Sequence, residues 1–322
     1  MNVLSLFDGM SCGQQALNRL GIKYDNYYAS ELDKYAIQIT QKNFPDTIQL
    51  GDVCGVVAKD LPKDIDLLLA GSPCQGFSFA GKQLAFDDPR SALFFEFVRL
   101  LRELKPKYFL LENVRMKKEY LDVITEQVGG IEPIMINSAL VSAQNRVRYY
   151  WTNIPNVQQP EDKGIVLHDV LEDYTDDVYF AGEKLQKNYK GGDRLNPNYK
   201  SQANTIHDVN KKSGTICAGT HGYANGYVTG AWRGRYNEDG STTQKLELRK
   251  DDKTNTLTSV QKDNVVVEND TMNWRKLTPL ECERLQTVDD NYTEGVSNTQ
   301  RYKMLGNGWT IDVISHILNH IK

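Results

Sequence analysis

The first third of the chain alternates short apolar runs with stretches whose apolar residues recur at helical spacing. Asn2-Val3-Leu4-Ser5-Leu6-Phe7 has strand length and stops at Asp8-Gly9. Gln14 to Leu20 then carries Ala16, Leu17 and Leu20 at helical spacing. Asn26-Tyr27-Tyr28-Ala29-Ser30 and Asp66-Leu67-Leu68-Leu69-Ala70 repeat the strand pattern. The period predicts a helix over 91–104, with Ser91 as its cap and Lys105-Pro106 as its stop, followed by a strand at Lys107-Tyr108-Phe109-Leu110-Leu111. Strands separated by helix-length segments make βαβ units, so residues 1–155 predict an α/β fold: a doubly wound, mostly parallel sheet.

After about Pro155 the pattern changes. To about Asp270 the chain is rich in Gly, Asn, Thr, Lys and Asp, with short β-type pieces such as Gly226-Tyr227-Val228-Thr229 and Asn264-Val265-Val266-Val267. Asn204-Thr205-Ile206, Gly214-Thr215-Ile216 and Asn255-Thr256-Leu257 resemble one another, as equivalent strands would. Thr278-Pro279-Leu280-Glu281 then puts a cap, an N1 proline and an acidic residue in helix-starting order. Ile311, Val313, Ile314, Ile317 and Leu318 give Trp309–Lys322 a helical period. A body that is left and rejoined implies an insert. The expected division is 1–158 with 272–322 as the body, and 159–271 as a smaller, loop-rich β domain.

Composition narrows the class. No run approaches the roughly 18 apolar residues of a membrane span, and the N-terminus reads as a strand rather than a signal peptide. Five scattered cysteines with no Cys-x-x-Cys pair suggest neither disulfides nor zinc, hence no metal and a reducing, cytoplasmic setting. The net charge of −4 speaks against a nucleic-acid partner only as a sum. Residues 181–275 hold 15 Lys and Arg against 11 Asp and Glu, an excess that suits a DNA face and equally a solvated surface.

Candidate chemistry gathers at strand ends. Gly9 and Gly13 let the backbone approach a ligand at the carboxyl end of the first strand, but the Gly-x-Gly-x-x-Gly spacing of a dinucleotide site is missing. Glu31 or Asp33, after the second strand, would accept from ribose hydroxyls, or either would simply start a helix. Asp52 would read an exocyclic amine. Cys74, in Gly71-Ser72-Pro73-Cys74-Gln75, sits in a turn beyond a very apolar strand, where a thiol is reachable rather than packed. Residues 76–90 have the composition of a polar lid with glycine hinges. Glu112 ends another apolar strand, and the alternation Gln144-Asn145-Arg146-Val147-Arg148 predicts a strand with Gln144, Arg146 and Arg148 on one face, open either to solvent or to a cleft.

These pieces stand in a known order. Phe7-x-Gly9, Pro73-Cys74-Gln75-x-Phe77-Ser78, Glu112-Asn113-Val114, Gln144-x-Arg146-x-Arg148, Arg275-x-Leu277-Thr278-x-x-Glu281-x-x-Arg284-Leu285-Gln286 and Gly306-Asn307 resemble the cytosine-5 DNA methyltransferase family over roughly 1–155 and 272–322. Within it the chain looks most like bacterial and phage enzymes. Phe7-Asp8-Gly9, Val141-Ser142-Ala143 and Gly308-Trp309-Thr310 also resemble the animal de novo enzymes. Ser11-Cys12 replaces the paired glycines common in bacterial members, and Trp309 stands where they usually carry smaller residues.

The resemblance implies an S-adenosylmethionine-dependent methyltransferase fold and that cofactor. Phe7 would stack near the adenine, Gly9 would pass under the methionine part, and Glu31 would hold the ribose hydroxyls. Asp52 and Val53 would meet the adenine, Asn307 and Trp309 would close the methionine end, and Ser11 and Ser72 would line the site. Cys74 would be the nucleophile, with Glu112, Arg146 and Arg148 around the target base. Ser78, Lys82 and Arg90, with Arg233 and Arg235 of the insert, would contact double-stranded DNA, each being equally readable as a solvated loop residue. The resemblance further implies a monomer in a bacterial cell, phage-encoded or not, with or without a cognate restriction endonuclease. An RNA (tRNA) cytosine methyltransferase, a non-catalytic DNA-binding relative and a small-molecule methyltransferase are the competing expectations.

Overall fold

The computed structural model describes residues 1–71, 89–172, 214–215, 230–236, 242–248, 254–255, 266–267, 274–275 and 277–321; for 89–92 and for the strands between 214 and 275 it describes the backbone alone. The chain divides into two compact units. One comprises Met1–Asn137, Val147–Pro160 and Ile311–Lys322, and the other Ser138–Arg146 and Glu161–Thr310.

The first unit is built on a seven-stranded sheet. Its strands are β1 (Asn2–Leu6), β2 (Asn26–Ser30), β3 (Ile48–Gln49), β4 (Ile65–Gly71), β5 (Tyr108–Val114), β6 (Ile134–Asn137) and β7 (Val147–Thr152), in the order β3-β2-β1-β4-β5-β7-β6. All pairings from β3 to β5 are parallel, and only β7 runs against its two neighbours. This is the doubly wound, mostly parallel sheet that the strand–helix alternation predicts. The order reverses between β1 and β4, and such a switch point leaves a crevice at the carboxyl ends of those strands. The register gives that edge its membership. Leu6 lies opposite Ala70, and Gly71 lies opposite Glu112.

Helices α1 (Cys12–Arg19), α2 (Lys34–Asn43), α3 (Pro89–Leu104) and α4 (Lys118–Gln127) belong to this unit. Leu4, Leu6, Leu68, Ala70, Phe94, Phe97, Phe109, Leu111 and Trp151 form much of its core. Buried apolar surface of this kind is the main favourable term in folding. α3 begins two residues before the expected cap: Ser91 is inside the helix, and Pro89 opens it, where a missing N–H costs nothing. The C-terminal apolar period forms a helix over Ile311–Leu318 that packs against α1, with Arg19 and Asp312 paired at 2.6 Å.

In the second unit, helix α5 (Pro279–Leu285) starts as its sequence dictates. Thr278 Oγ1 accepts from the Glu281 amide, and Glu281 Oε2 accepts from the Thr278 amide, completing a capping box behind the N1 proline. Thr278→Ala is expected to lower stability by about 1 kcal/mol, read as a shifted urea midpoint with an unchanged slope. Helix α6 (Asn298–Asn307) follows, and the C-terminal helix of the first unit is therefore α7. Glu283 is fully buried, accepting from the amides of Asn291 and Thr293 and pairing with Arg301 at 3.0 Å.

Six short strands are described between 214 and 275: β8 (Gly214–Thr215), β9 (Gly230–Tyr236), β10 (Thr242–Leu248), β11 (Thr254–Asn255), β12 (Val266–Val267) and β13 (Trp274–Arg275). β8 pairs with β11, which brings Thr215 of one similar fragment opposite Asn255, the first residue of another. The third, Asn204-Thr205-Ile206, lies outside the described residues, as do Gly226–Thr229 and Asn264-Val265. No helix among the described residues is long and apolar enough to cross a membrane.

Candidate active site

The loop after β1 is the most strained backbone at the switch point. Phe7, Gly9 and Ser11 have φ of 56°, 60° and 59°, three alternate residues in the left-handed region. A bulky residue there is unusual, and such outliers cluster where a loop is held for a ligand. Phe7 is anchored because its ring packs against the core. At Gly9 an added Cβ would meet nothing within 4 Å, so glycine is required by the dihedral and not by space. Gly9→Ala is therefore expected to cost about 1–2 kcal/mol, visible in urea unfolding.

Asp8, between these residues, is almost fully buried. Its Oδ1 accepts from Tyr27 Oη at 2.8 Å, and its Oδ2 accepts from Ser11 Oγ. Its amide donates to Ser30 O, and its carbonyl accepts from the Ser11 amide, both at 3.1 Å. Burial pushes its carboxyl up to about 6, against the hydroxyl bonds that pull it down. Because the folded value exceeds the ordinary 3.8, the fold holds this proton more tightly than the unfolded chain does. The associated stability is fully present below about pH 4 and is lost as the pH rises through about 6.

After β2 the two candidate acids separate. Glu31 turns back toward the loop, its Oε2 accepting from the Gly9 amide and its Oε1 from the Leu32 and Asp33 amides, all at 2.7 Å. Asp33 is the N-cap of α2, accepting from the Tyr35 and Ala36 amides. Asp33 thus starts a helix, and Glu31 is the acid joined to the glycine loop. Asp52 is exposed and caps a short helical turn over Val53–Gly55, accepting from the Cys54 amide at 3.0 Å, while Val53 is buried in the core.

Glu112 and Arg148 meet across β5 and β7. Arg148 Nε lies 2.9 Å from Glu112 Oε1, with about a tenth of each side chain exposed. The two atoms are close enough to pair as charges, yet no aligned hydrogen bond joins them, and neither has another bonded partner among the described residues. A buried acceptor in that state retains bonding capacity.

The expected shared face of Gln144, Arg146 and Arg148 is not formed. β7 begins at Val147, so only Arg148 is in the strand, and all three side chains are buried. Gln144 and Arg146 fall in the second unit, where tertiary hydrogen bonds override the alternation. Arg146 donates from Nη1 to Gly306 O at 3.2 Å and from Nη2 to Gly308 O at 2.8 Å. Gln286 Nε2 donates to Leu305 O and Gly308 O, and Gln286 Oε1 accepts from Gln144 and Thr310. The segment with Asn307, exposed at the end of α6, and Trp309, buried, is fastened by these bonds. The expectation from sequence omits Asp8 and Gln286. Asp8 is signalled only by an acid between Phe7 and Gly9, and Gln286 only by a place in its motif.

Cys74, Ser72, Ser78, Lys82 and Lys211-Lys212 lie outside the described residues, as does most of the expected lid. Arg90 is placed by its backbone in α3. Arg233 and Arg235 fall in β9, opposite Lys245 and Thr243 of β10.

A sheet with its switch point at a strained glycine loop, and an acid returning from β2 to that loop, is the doubly wound α/β class, in which ligands bind at the carboxyl ends of the strands. Comparison with known proteins makes the class specific. The family model described as C-5 cytosine-specific DNA methylase matches residues 1–322. The type II methyltransferase M1.ScrFI of Lactococcus lactis subsp. cremoris is 33% identical over 316 residues, covering 92% of this chain and 71% of that one. The orphan methyltransferase M.SPRI of Bacillus phage SPR is 28% identical, covering 100% of this chain and 97% of its own. The solved structure of the Entamoeba histolytica methyltransferase EhMeth shares the fold, with a TM-score of 0.67 at 18% identity over 99% of this chain and 97% of that one. The chain belongs to the C-5 cytosine-specific DNA methylase family.

Proposed function

We propose that this chain methylates carbon 5 of a cytosine flipped out of a short, specific sequence in double-stranded DNA, with Cys74 as nucleophile. The observation that carries the reading is the buried carboxylate of Glu112, charge-paired with Arg148 but not hydrogen-bonded by it, on the residue opposite Gly71 in the sheet register. Cys74 follows Gly71 by three residues.

The loop fits the adenosine of S-adenosylmethionine. A carboxylate offers about four acceptor positions, and backbone amides fill three of those on Glu31. The remaining capacity suits a ribose hydroxyl, and the side-chain-free Gly9 leaves the loop open beside it. Phe7, Ser11, Asp52, Val53, Ser72, Asn307 and Trp309 complete the cofactor set in this reading. When bound, the cofactor supplies an electrophilic methyl group on sulfur.

The chain's own residues prepare the base. Extracting cytosine from the stack costs a few kcal/mol. The Cys74 thiolate adds to ring carbon 6, and the displaced double-bond electrons make carbon 5 nucleophilic. Glu112 binds the exocyclic amine and ring nitrogen 3, supporting the charge that develops there. Arg148 holds this carboxylate beside the ring oxygen, and Arg146 secures nearby backbone. Once carbon 5 carries the methyl group, a base removes its proton, the electrons re-form the ring double bond, and the carbon–sulfur bond to Cys74 breaks. Ser78, Lys82 and Arg90 would contact phosphates. Residues 159–271 would form the target-recognition domain and 1–158 with 272–322 the catalytic body, Arg233 and Arg235 being suited to guanine edges. The protein would act as a monomer in the cytoplasm of a bacterial cell, with a cognate restriction endonuclease or as a solitary or phage enzyme.

The test offers methyl-labelled S-adenosylmethionine with duplex DNA or with tRNA and maps the modified base. Label on cytosine carbon 5 in DNA is expected. Label entering RNA alone would overturn the substrate assignment.

A further inference from the structure

We infer that Asp8 is a positioning residue, a buried strut that holds the cofactor loop in its left-handed conformation and makes cofactor affinity sensitive to acid. The inference rests on the methyltransferase reading of that loop.

Asp8 is enclosed between the loop's two ends. Its Oδ2 takes the Ser11 hydroxyl, and its Oδ1 takes the Tyr27 hydroxyl from β2 at 2.8 Å. Its own amide and carbonyl fix Ser30 and Ser11. The residue therefore joins the carboxyl ends of β1 and β2 to the start of α1. On either side of it, Phe7 and Gly9 have positive φ, and the Gly9 amide is the group that Glu31 receives at 2.7 Å. Left-handed backbone at three alternate residues persists only when surrounding bonds over-determine it. Asp8 supplies two of the side-chain bonds that do so, beside the one Glu31 makes to the Gly9 amide.

The strut depends on charge. As a carboxylate, Asp8 accepts from both hydroxyls, and charge-assisted bonds are roughly twice as strong as neutral ones. When protonated, one of its oxygens becomes a donor and competes with the hydroxyl facing it. Burial places this change at about pH 6. The titratable groups facing it are Tyr27 on β2 and Glu31 beyond it; Cys12, at the start of α1, lies near Tyr27. Ser5 on β1 adds a hydroxyl. Burial pushes the Tyr27 phenol well up, so Tyr27 stays a donor in this range. Glu31 brings a second charge, and an Asp8→Asn comparison keeps it in place.

Calorimetric titration of S-adenosylhomocysteine into the full chain from pH 5.5 to 7.5 tests the inference. Wild-type affinity should fall about fivefold toward pH 5.5, the size expected for one lost hydrogen bond, with its midpoint near 6. Asp8→Asn should bind at the weaker level with no midpoint. Tyr27→Phe, which removes one donor and keeps the carboxylate, should move the midpoint upward. A flat wild-type profile, or the same midpoint in all three proteins, would overturn the strut. Thermal unfolding of the same proteins gives a readout independent of the cofactor. Because burial disfavours the carboxylate overall although the hydroxyl bonds favour it, the stability of wild type relative to Asp8→Asn should decline between pH 4 and 7, and a constant difference would show that Asp8 does not titrate there and would overturn the acid sensitivity. If no protein binds the cofactor product at any pH, the methyltransferase reading fails, and the unfolding series alone decides the inference.

Discussion

Cys74→Ala is expected to abolish methyl transfer, lowering turnover by on the order of 10⁴-fold or more, while binding of the cofactor stays nearly unchanged. Addition to carbon 6 requires a soft nucleophile, and an alanine offers none, so carbon 5 never becomes electron-rich enough to take a methyl group. The other described cysteines do not provide a substitute. Cys12 and Cys282 are buried, and burial with two neighbouring acids drives the Cys282 thiol well up. Cys54 is exposed, but partial desolvation and the neighbouring Asp52 carboxylate raise its thiol. Cys54 and Cys282 are thereby moved away from the thiolate form that reacts, and Cys12 is enclosed in the core. The cofactor contacts assigned to the β1 loop and to Glu31 do not involve Cys74, so a calorimetric titration of S-adenosylhomocysteine should barely distinguish the variant. Residual turnover close to wild type would show that another group attacks the ring.

Glu112→Gln carries the next largest effect, because it acts on stability and chemistry together. Arg148 would remain nine-tenths buried with no counter-charge, and breaking a buried pair from one side costs about 3–5 kcal/mol. Turnover should fall at least about 100-fold, the usual value of a positioned acid or base. The double variant Glu112→Gln, Arg148→Met separates the two effects. Removing the stranded charge should recover most of the stability and none of the activity, read by urea unfolding and by methyl transfer to DNA. Full activity in the double variant would make the pair a structural feature only.

How much of this was legible depends on whether a residue's surroundings are local. The β1–α1–β2 repeat, the mostly parallel sheet and the capping box at Thr278 and Glu281 are written within a few residues, and the structure forms them. The choice between Glu31 and Asp33 was open in sequence because both are acids after a strand. In three dimensions the two differ, since only Glu31 reaches back to Gly9 while Asp33 caps α2. The alternation through Gln144, Arg146 and Arg148 misleads for a physical reason. Alternation signals a strand only when the ladder continues, and here Gln144 and Arg146 spend their donors on Leu285, Gln286, Gly306 and Gly308, more than a hundred residues away in sequence. Asp8 shows the same limit. Nothing in Phe7-Asp8-Gly9 reveals that Tyr27 will close over the carboxylate. Residues 159–271 say least, because base readout is a matter of loop geometry with no fixed spacing.

The central claim is that Cys74 bonds covalently to cytosine during methyl transfer, and one trap tests it directly. Duplex DNA of mixed sequence, with 5-fluorocytosine in place of cytosine, is incubated with the protein and S-adenosylmethionine, then denatured and digested for mass spectrometry. Fluorine cannot leave as a proton, so the carbon–sulfur bond cannot be released. The expected result is a denaturation-resistant adduct on the peptide containing Cys74, dependent on the cofactor and missing from Cys74→Ala. Methylation of ordinary DNA with no such adduct, or an adduct that persists in Cys74→Ala, would contradict the account.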